Sequence, residues 1–473
     1  MNNNKSVIHA PFLNLLDRNQ KQAVTAINQS VKLSGQPGSG KSHTLACRAA
    51  YMVLRGINPQ SIAVLTCSDA TAQAMKRHIV EMAGEKARDI LVTTPQSLCI
   101  KLRELAHIET PVIYNDAMCK KVIREVAERD DTSDRAIGHI FSRIRYAKER
   151  RWSPALLEES KDYVKAEKQI GYPDLVKIYR RYVRRMRKLG AIDLYDLPYE
   201  SVLMLFCKPG LATRFEHLLV DDYECCTYTQ AWMINRWLKS VKTFAVSCSL
   251  QLCTNRFLSY LSPKVIEIMR ENPEMLCCTL NHDYRQKGIL SKVRKTFLAN
   301  LSAGMDECSP MNVSPRGKVR IIKASNHLDE ARKVAASIRQ AHDVNQVDYA
   351  DICVLFGFVG TDKNMFEEVL QQEGVPIKKN AEDDGTQRVT VVTTNNVRGL
   401  EYRYVYLVCL NEGYTPSFIS QDSPTDMRIE QRTFLIGLSR AKERLFMWAS
   451  KQEPLSRFVG MCFLPPRPLA EQV

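Results

Sequence analysis

The chain has 473 residues, enough for about three domains, and its 45% hydrophobic content supports ordinary packed cores. Lys and Arg number 67 against 52 Asp and Glu, a formal charge of +15 that favours an acidic polymer, nucleic acid first, as partner, with a generic basic surface as the plainer alternative. No run approaches the roughly 18 apolar residues of a membrane span, and the first residues lack the apolar core of a signal peptide. The 15 cysteines form no C-x-x-C pairs with zinc-like spacing, and those inside apolar runs, such as Cys353 and Cys409, read as reduced core residues of a cytoplasmic protein.

Leu16 to Val24 reads as the start of a helix that Asp17 can cap. Ser30 to Ser34 reads as a short strand, and His43 to Leu54, rich in Ala and Leu, as a helix. Between them, Gly35-Gln36-Pro37-Gly38-Ser39-Gly40-Lys41-Ser42 matches G-x-x-x-x-G-K-[ST], the phosphate-binding loop of nucleotide triphosphatases. Strand, glycine loop and helix form the geometry this chemistry needs. The glycines let backbone N–H groups approach phosphate oxygens at a helix N-terminus that favours negative charge. The pattern assigns Lys41 to the β- and γ-phosphates of ATP and the Ser42 hydroxyl to Mg²⁺.

Ser61 to Cys67 is predicted as a second buried strand, Ser68 to Met82 as its helix, and Ile90 to Leu98 as a third strand ending in a polar turn. The spacing fits parallel βαβ units. From Ala106 to Leu197 the pattern turns helical. Arg143 to Lys188 holds 15 basic residues against 6 acidic, a net +9. Arg180, Arg184 and Arg187 recur on one predicted helix, which is either a solvated face or a surface that neutralises nucleic-acid phosphates without reading sequence. Phe215 to Val220 is an apolar strand that ends in Asp221-Asp222-Tyr223-Glu224, the Walker B pattern. Carboxylates at the C-terminal end of a parallel strand lie where ligands collect. Asp221 there can hold Mg²⁺, and Asp222 can deprotonate an attacking water.

These motifs, with three later ones, resemble the UvrD/Rep-type helicases of superfamily 1A, from about Leu16 to Trp448. Leu280 to Arg285 resembles the family's motif IV, Val391 to Tyr402 its motif V, and Glu430 to Ala441 its motif VI. The resemblance implies an α/β protein of two RecA-like, parallel-sheet lobes with ATP in the cleft between them. It places residues 1–105 and 191–275 in the first lobe, 106–190 in a basic helical accessory subdomain (1B-like), and 276–473 in the second lobe. It implies that Gln20 reads the adenine edge, Tyr284 stacks on the base and Glu401 accepts from the ribose. Arg285 and Arg440 become arginine fingers on the γ-phosphate, surface salt bridges being the plainer reading. Thr66, Thr94 and Asn395 fall in motifs that contact single-stranded DNA.

The departures are informative. Asp222 is one methylene shorter than the family's glutamate, and a carboxylate misplaced by an ångström can cost on the order of 100-fold. Glu224 replaces the usual glutamine, Cys67 an aromatic, and Gln96 a histidine. In motif III, Val246 to Arg256, only Gln251 survives, and each lost stacking aromatic is worth about 1–3 kcal/mol. Only Lys378 to Arg388 separates the last predicted strand from motif V, which leaves no room for the second accessory domain, 2B. The resulting expectation is an ATP-dependent helicase or translocase on single-stranded DNA, 3′-to-5′ by resemblance, in a cytosolic bacterial or phage-related setting. The alternative is a nucleotide- and DNA-sensing subunit that switches a protein partner such as a nuclease, as in the Gabija anti-phage system.

Overall fold

The computed structural model describes residues 10–127, 133–159, 175–249, 275–302, 318–357, 362–378, 387–417 and 424–464. Fourteen strands are assigned among them: β1 Val31–Gly35, β2 Ile62–Leu65, β3 Leu91–Thr93, β4 Val112–Tyr114, β5 Ala191–Asp193, β6 His217–Val220, β7 Thr243–Cys248, β8 Leu276–Leu280, β9 Val319–Ala324, β10 Ile352–Phe356, β11 Ile377–Lys378, β12 Val389–Thr393, β13 Tyr402–Val408 and β14 Ala441–Ser450. They form a six-stranded sheet of order β3-β2-β6-β7-β1-β8, a second of order β11-β12-β10-β13-β14-β9, and the pair β4-β5. All described strand pairings are parallel.

Parallel sheets need cover on both faces, so their strands are near-continuous apolar runs. β2, β6 and β7 are buried along their whole length. One face of the first sheet packs on Ala23, Leu45, Met52 and Ile79, the other on Leu98, Val202 and Trp237. The second sheet is covered by one cluster around Phe297, Leu435 and Phe458 and another around Val334, Phe366 and Trp448. Because the strands run in one direction, the chain ends after β1, β2, β6 and β7 gather at one edge.

A third core lies under the helices Asp116–Ala127, Asp134–Glu149, Pro154–Glu158 and Leu175–Lys188, around Ile123, Ile144, Tyr179 and Tyr182. Its buried polar anchor is Lys148 Nζ, 2.6 Å from both Asp193 and Asp196, while the Tyr182 hydroxyl donates to Asp193 at 2.8 Å. Leu175, Ile178, Tyr179, Tyr182 and Met186 of the last helix face this core, and Arg180, Arg184 and Arg187 are exposed.

The structure corrects several expected boundaries. β8 belongs to the first sheet, where Leu276–Leu280 pairs with the outer edge of β1, so residue 276 does not open the second lobe. Residues 191–193 pair with β4 and so tie the first lobe to the accessory helices, and the helical stretch contains a strand at Val112–Tyr114. The third strand stops at Thr93, because Thr94 caps a helix that starts at Pro95 and takes in Gln96 and Ser97.

Candidate nucleotide cleft

β1 ends at Gly35, and the helix Lys41–Leu54 starts where the loop closes. Gly38 and Gly40 both sit at φ +83°, a left-handed conformation open to glycine. A Cβ on Gly40 would lie 2.6 Å from Gln20 Nε2, and one on Gly38 2.5 Å from Asp283 Oδ1, so the loop needs these positions bare on both counts. Pro37 and Ser39 are buried in the loop, and Ser42 is exposed at the mouth of the helix. Lys41 Nζ donates to Gly35 O at 3.0 Å and Gln36 O at 3.2 Å, contacts that phosphate oxygens can replace.

Gln20 is 2% exposed and is held by its own helix start. Asp17 and Gln20 form a capping box, the Gln20 N–H donating to Asp17 Oδ1 at 2.8 Å and the Asp17 N–H to Gln20 Oε1 at 3.1 Å. The Tyr284 ring lies over the same loop, with its hydroxyl donating to Asp17 Oδ2 at 2.9 Å and its N–H to Gly38 O at 2.8 Å. Gln20 and the half-exposed Tyr284 therefore flank one side of Gly40, a slot suited to a flat base.

Asp221 and Asp222 follow β6. Asp221 is 7% exposed and accepts from Ser247 Oγ at 2.5 Å. Burial and the neighbouring Asp222 carboxylate push its pKa up to about 6, against donors from Ser247 and Ser42 and the charge of Lys41. A cation between Asp221 and Ser42 would relieve that strain, so the donor set fits Mg²⁺. Asp222 adopts φ 48°, ψ 50°, and its N–H donates to Ser247 Oγ at 2.9 Å. Glu224 is buried, its Oε2 has no hydrogen-bond partner among the described residues, and burial drives its carboxyl far above the usual range.

The second sheet's body closes the cleft. Arg440 is 4% exposed. Its guanidinium donates to Ile436 O at 3.1 Å, Leu400 O at 3.1 Å and Ser439 Oγ at 2.8 Å. Arg285 donates to Ser439 O at 3.0 Å and forms an ion pair with Glu401, which Lys442 also approaches at 3.3 Å. Glu401 thus holds an arginine here, a tie that the sequence reading of a ribose acceptor did not foresee. Gly38, Gly40, Lys41, Ser42, Asp222, Glu224, Tyr284, Arg285, Glu401 and Arg440 line one cavity of about 300 Å³.

Other expected residues lie elsewhere. Thr66 and Thr94 are buried, with hydroxyls on Ser68 O at 3.1 Å and Ser97 Oγ at 3.0 Å, and neither lines the nucleotide cavity. Arg180 pairs with Glu158 at 2.8 Å on the accessory helix, outside the cavity lining, as are Arg184 and Arg187. Asn395 lies in the turn Thr394–Val397 with its side chain outside the described residues, as is all of Gln251. Arg294, which no sequence motif marks, donates to Gln36 Oε1 at 3.1 Å and Asp283 Oδ2 at 2.6 Å and so braces the loop. Arg398, within the motif V stretch but with no role expected of it, lines the cavity and donates to Cys225 Sγ at 3.1 Å.

Residues 16–247 match the UvrD/REP helicase N-terminal domain, and residues 278–384 and 377–452 match the UvrD-like helicase C-terminal domain. The chain belongs to the UvrD-like helicase family. Its two parallel sheets are the family's two RecA-like lobes. It is 26% identical over 395 residues to the ATP-dependent DNA helicase UvrD1 of Mycobacterium tuberculosis, covering 78% of this chain and 50% of the relative. It is 22% identical over 378 residues to Rep of Escherichia coli, covering 77% and 55%, and 21% identical over 374 residues to PcrA of Bacillus subtilis, covering 75% and 49%. The chain therefore spans about half the length of the curated relatives it matches. No described helix of this family member is long and apolar enough to cross a membrane.

Proposed function

We propose that the chain is a DNA-stimulated ATPase that works as a cytoplasmic helicase or translocase on single-stranded DNA, moving 3′-to-5′. The observation that carries this reading is the cavity lined by the phosphate loop and Asp222 from the first lobe and by Arg440 from the second. A nucleotide there touches both lobes, so binding and hydrolysis can open and close them. Lys41 would exchange its loop carbonyls for the β- and γ-phosphates. Gln20 and Tyr284 would hold the base, and Glu401 the ribose once Arg285 turns to the phosphate. Asp222 would take the proton of the attacking water, with Arg285 and Arg440 meeting the charge that develops. Ser42 and Asp221 would hold Mg²⁺, which supplies charge neutralisation on the phosphates. Gln251 would act with Asp222, Arg285 and Arg440 in catalysis, Thr66, Thr94 and Asn395 would serve the DNA side of the first-lobe and second-lobe motifs, and Arg180, Arg184 and Arg187 the DNA backbone.

Lys41→Ala tests this reading. It removes the charge on the phosphates and leaves the loop backbone intact. Phosphate release with single-stranded DNA should collapse by about 100-fold or more while the fold, read by circular dichroism, persists. Hydrolysis at the wild-type rate would overturn the assignment. ATP binding without turnover in the wild-type chain would favour the regulatory subunit over the motor.

A further inference from the structure

We propose that Cys67, Cys225 and Asp222 form a binding site for a thiophilic divalent cation of the Zn²⁺ class, and that its occupation arrests ATP turnover. The coupling to turnover rests on the role of Asp222 given above; the site itself does not.

The two sulfurs and a carboxylate oxygen all lie within 4.8 Å of one another. Around tetrahedral zinc such atoms sit about 3.5–3.8 Å apart, so small side-chain rotations suffice. Neighbouring parallel strands supply the ligands. Leu65 of β2 pairs with Val220 of β6, Cys67 follows the first strand, and Asp222 and Cys225 follow the second. The three residues line a cavity of about 130 Å³ beside the nucleotide cleft, with Thr66 and Asp221 on its wall. That leaves room for a water as fourth ligand.

Charge and chemistry select the cation. Two thiolates and a carboxylate suit zinc-like ions and repel magnesium's preference for oxygen alone. Together they carry three negative charges, which a divalent ion and the Arg398 guanidinium, 3.1 Å from Cys225 Sγ, would balance. An N–H donor on a ligating thiolate is the usual outer-shell support. Arg398 comes from the second lobe, as does Gly399, where a Cβ would lie 3.3 Å from Cys67 Sγ. The site thus sits beneath the surface on which the lobes meet. A cation there takes the Asp222 carboxylate, which can no longer accept a proton from water.

The full chain, without nucleotide, should be titrated with Co²⁺. A thiolate-to-cobalt charge-transfer band should saturate at a single equivalent and vanish on adding Zn²⁺. Cys67→Ser and Cys225→Ser should each abolish it. Cys409→Ser, in the separate buried group His327, Glu330 and Cys409, should keep it. Zn²⁺ should lower wild-type ATP turnover by about 100-fold, the usual worth of a general base, and a chelator should restore it. No band in the wild type, or a band that persists in the Cys67→Ser, Cys225→Ser double variant, overturns the site. Zinc binding with unchanged turnover overturns the coupling. A chain that binds Co²⁺ through these cysteines yet never hydrolyses ATP supports the site and sinks the function proposed above.

Discussion

Asp222 sits in the left-handed backbone region, φ 48°, with its N–H on Ser247 Oγ. Short polar side chains tolerate that conformation best, since longer ones meet the same Cβ penalty without local hydrogen bonds in return. The backbone thus gives this position a reason to be aspartate, which counting methylenes against a family pattern does not include. Its neighbour Asp221 yields a test in pH. The native state binds the Asp221 proton more tightly than the unfolded chain, where aspartate titrates near 3.8. On this group's account, stability is highest below pH 3.8, falls as pH rises to about 6, and stays reduced above that. Asp221→Asn keeps an oxygen for Ser247 and removes the buried charge. It should stabilise the protein by about 1–3 kcal/mol at about pH 7, gain nothing near about pH 4, and abolish Mg²⁺-dependent turnover. Urea unfolding at the two pH values checks this; an equal change at both would show that burial does not strain the carboxylate. The gathering of the glycine loop, Asp222, Arg285 and Arg440 at one cleft was legible because each lies in a contiguous motif. Arg398 on Cys225 was not, because the two are 173 positions apart and neither is unusual locally.

At the scale of elements, strand and helix existence followed from apolar runs and caps, while sheet membership did not. β8 reads as an apolar run just before motif IV, and nothing in its residues says that it pairs with β1. Pairing partners are set by which strand edge is open in three dimensions. The accessory helix Leu175–Lys188 was better specified, since its apolar and basic residues separate cleanly into a buried and an exposed face. Arg180 spends part of its charge on the exposed Glu158, a pairing worth little. Its arginines therefore remain able to meet phosphates. Replacing Arg180, Arg184 and Arg187 together by Ala should weaken single-stranded DNA binding equally across sequences. The slope of log affinity against log salt should flatten by about 2, at roughly 0.7 per phosphate contact on single strands. Fluorescence anisotropy across a salt series measures it. An unchanged slope would make this a solvated or protein-facing surface.

For the whole molecule, the two-lobe layout was readable because each lobe carries its own motifs, but the way the lobes hold each other was not. The chain after β8 straps them together: Tyr284 N–H bonds Gly38 O at 2.8 Å in the first lobe, while Gln286 Nε2 bonds Leu438 O at 2.7 Å and Ala441 O at 2.9 Å in the second. Arg440 sits next to this strap. Among the described residues it is in no ion pair, and it is caged by carbonyls and the Ser439 hydroxyl. Burial, with Arg285 beside it, lowers its pKa to about 10, so it stays charged at neutral pH. A buried cation whose hydrogen bonds all go to neutral acceptors gains most when negative charge develops beside it, and in the function proposed above that charge develops on the γ-phosphate in the transition state. Arg440→Ala should therefore leave ATP affinity within a few fold, lower DNA-stimulated turnover by about 1,000-fold, and abolish the contraction that a non-hydrolysable ATP analogue produces in small-angle scattering. Arg440→Lys keeps a charge but not the planar fork and should recover only part of the rate. Stability should not fall by more than about 1 kcal/mol, because the lost hydrogen bonds are offset by no longer burying a charge. Wild-type turnover and contraction in Arg440→Ala would make the guanidinium a clamp for the turn at residues 436–440, with no part in coupling the lobes to ATP.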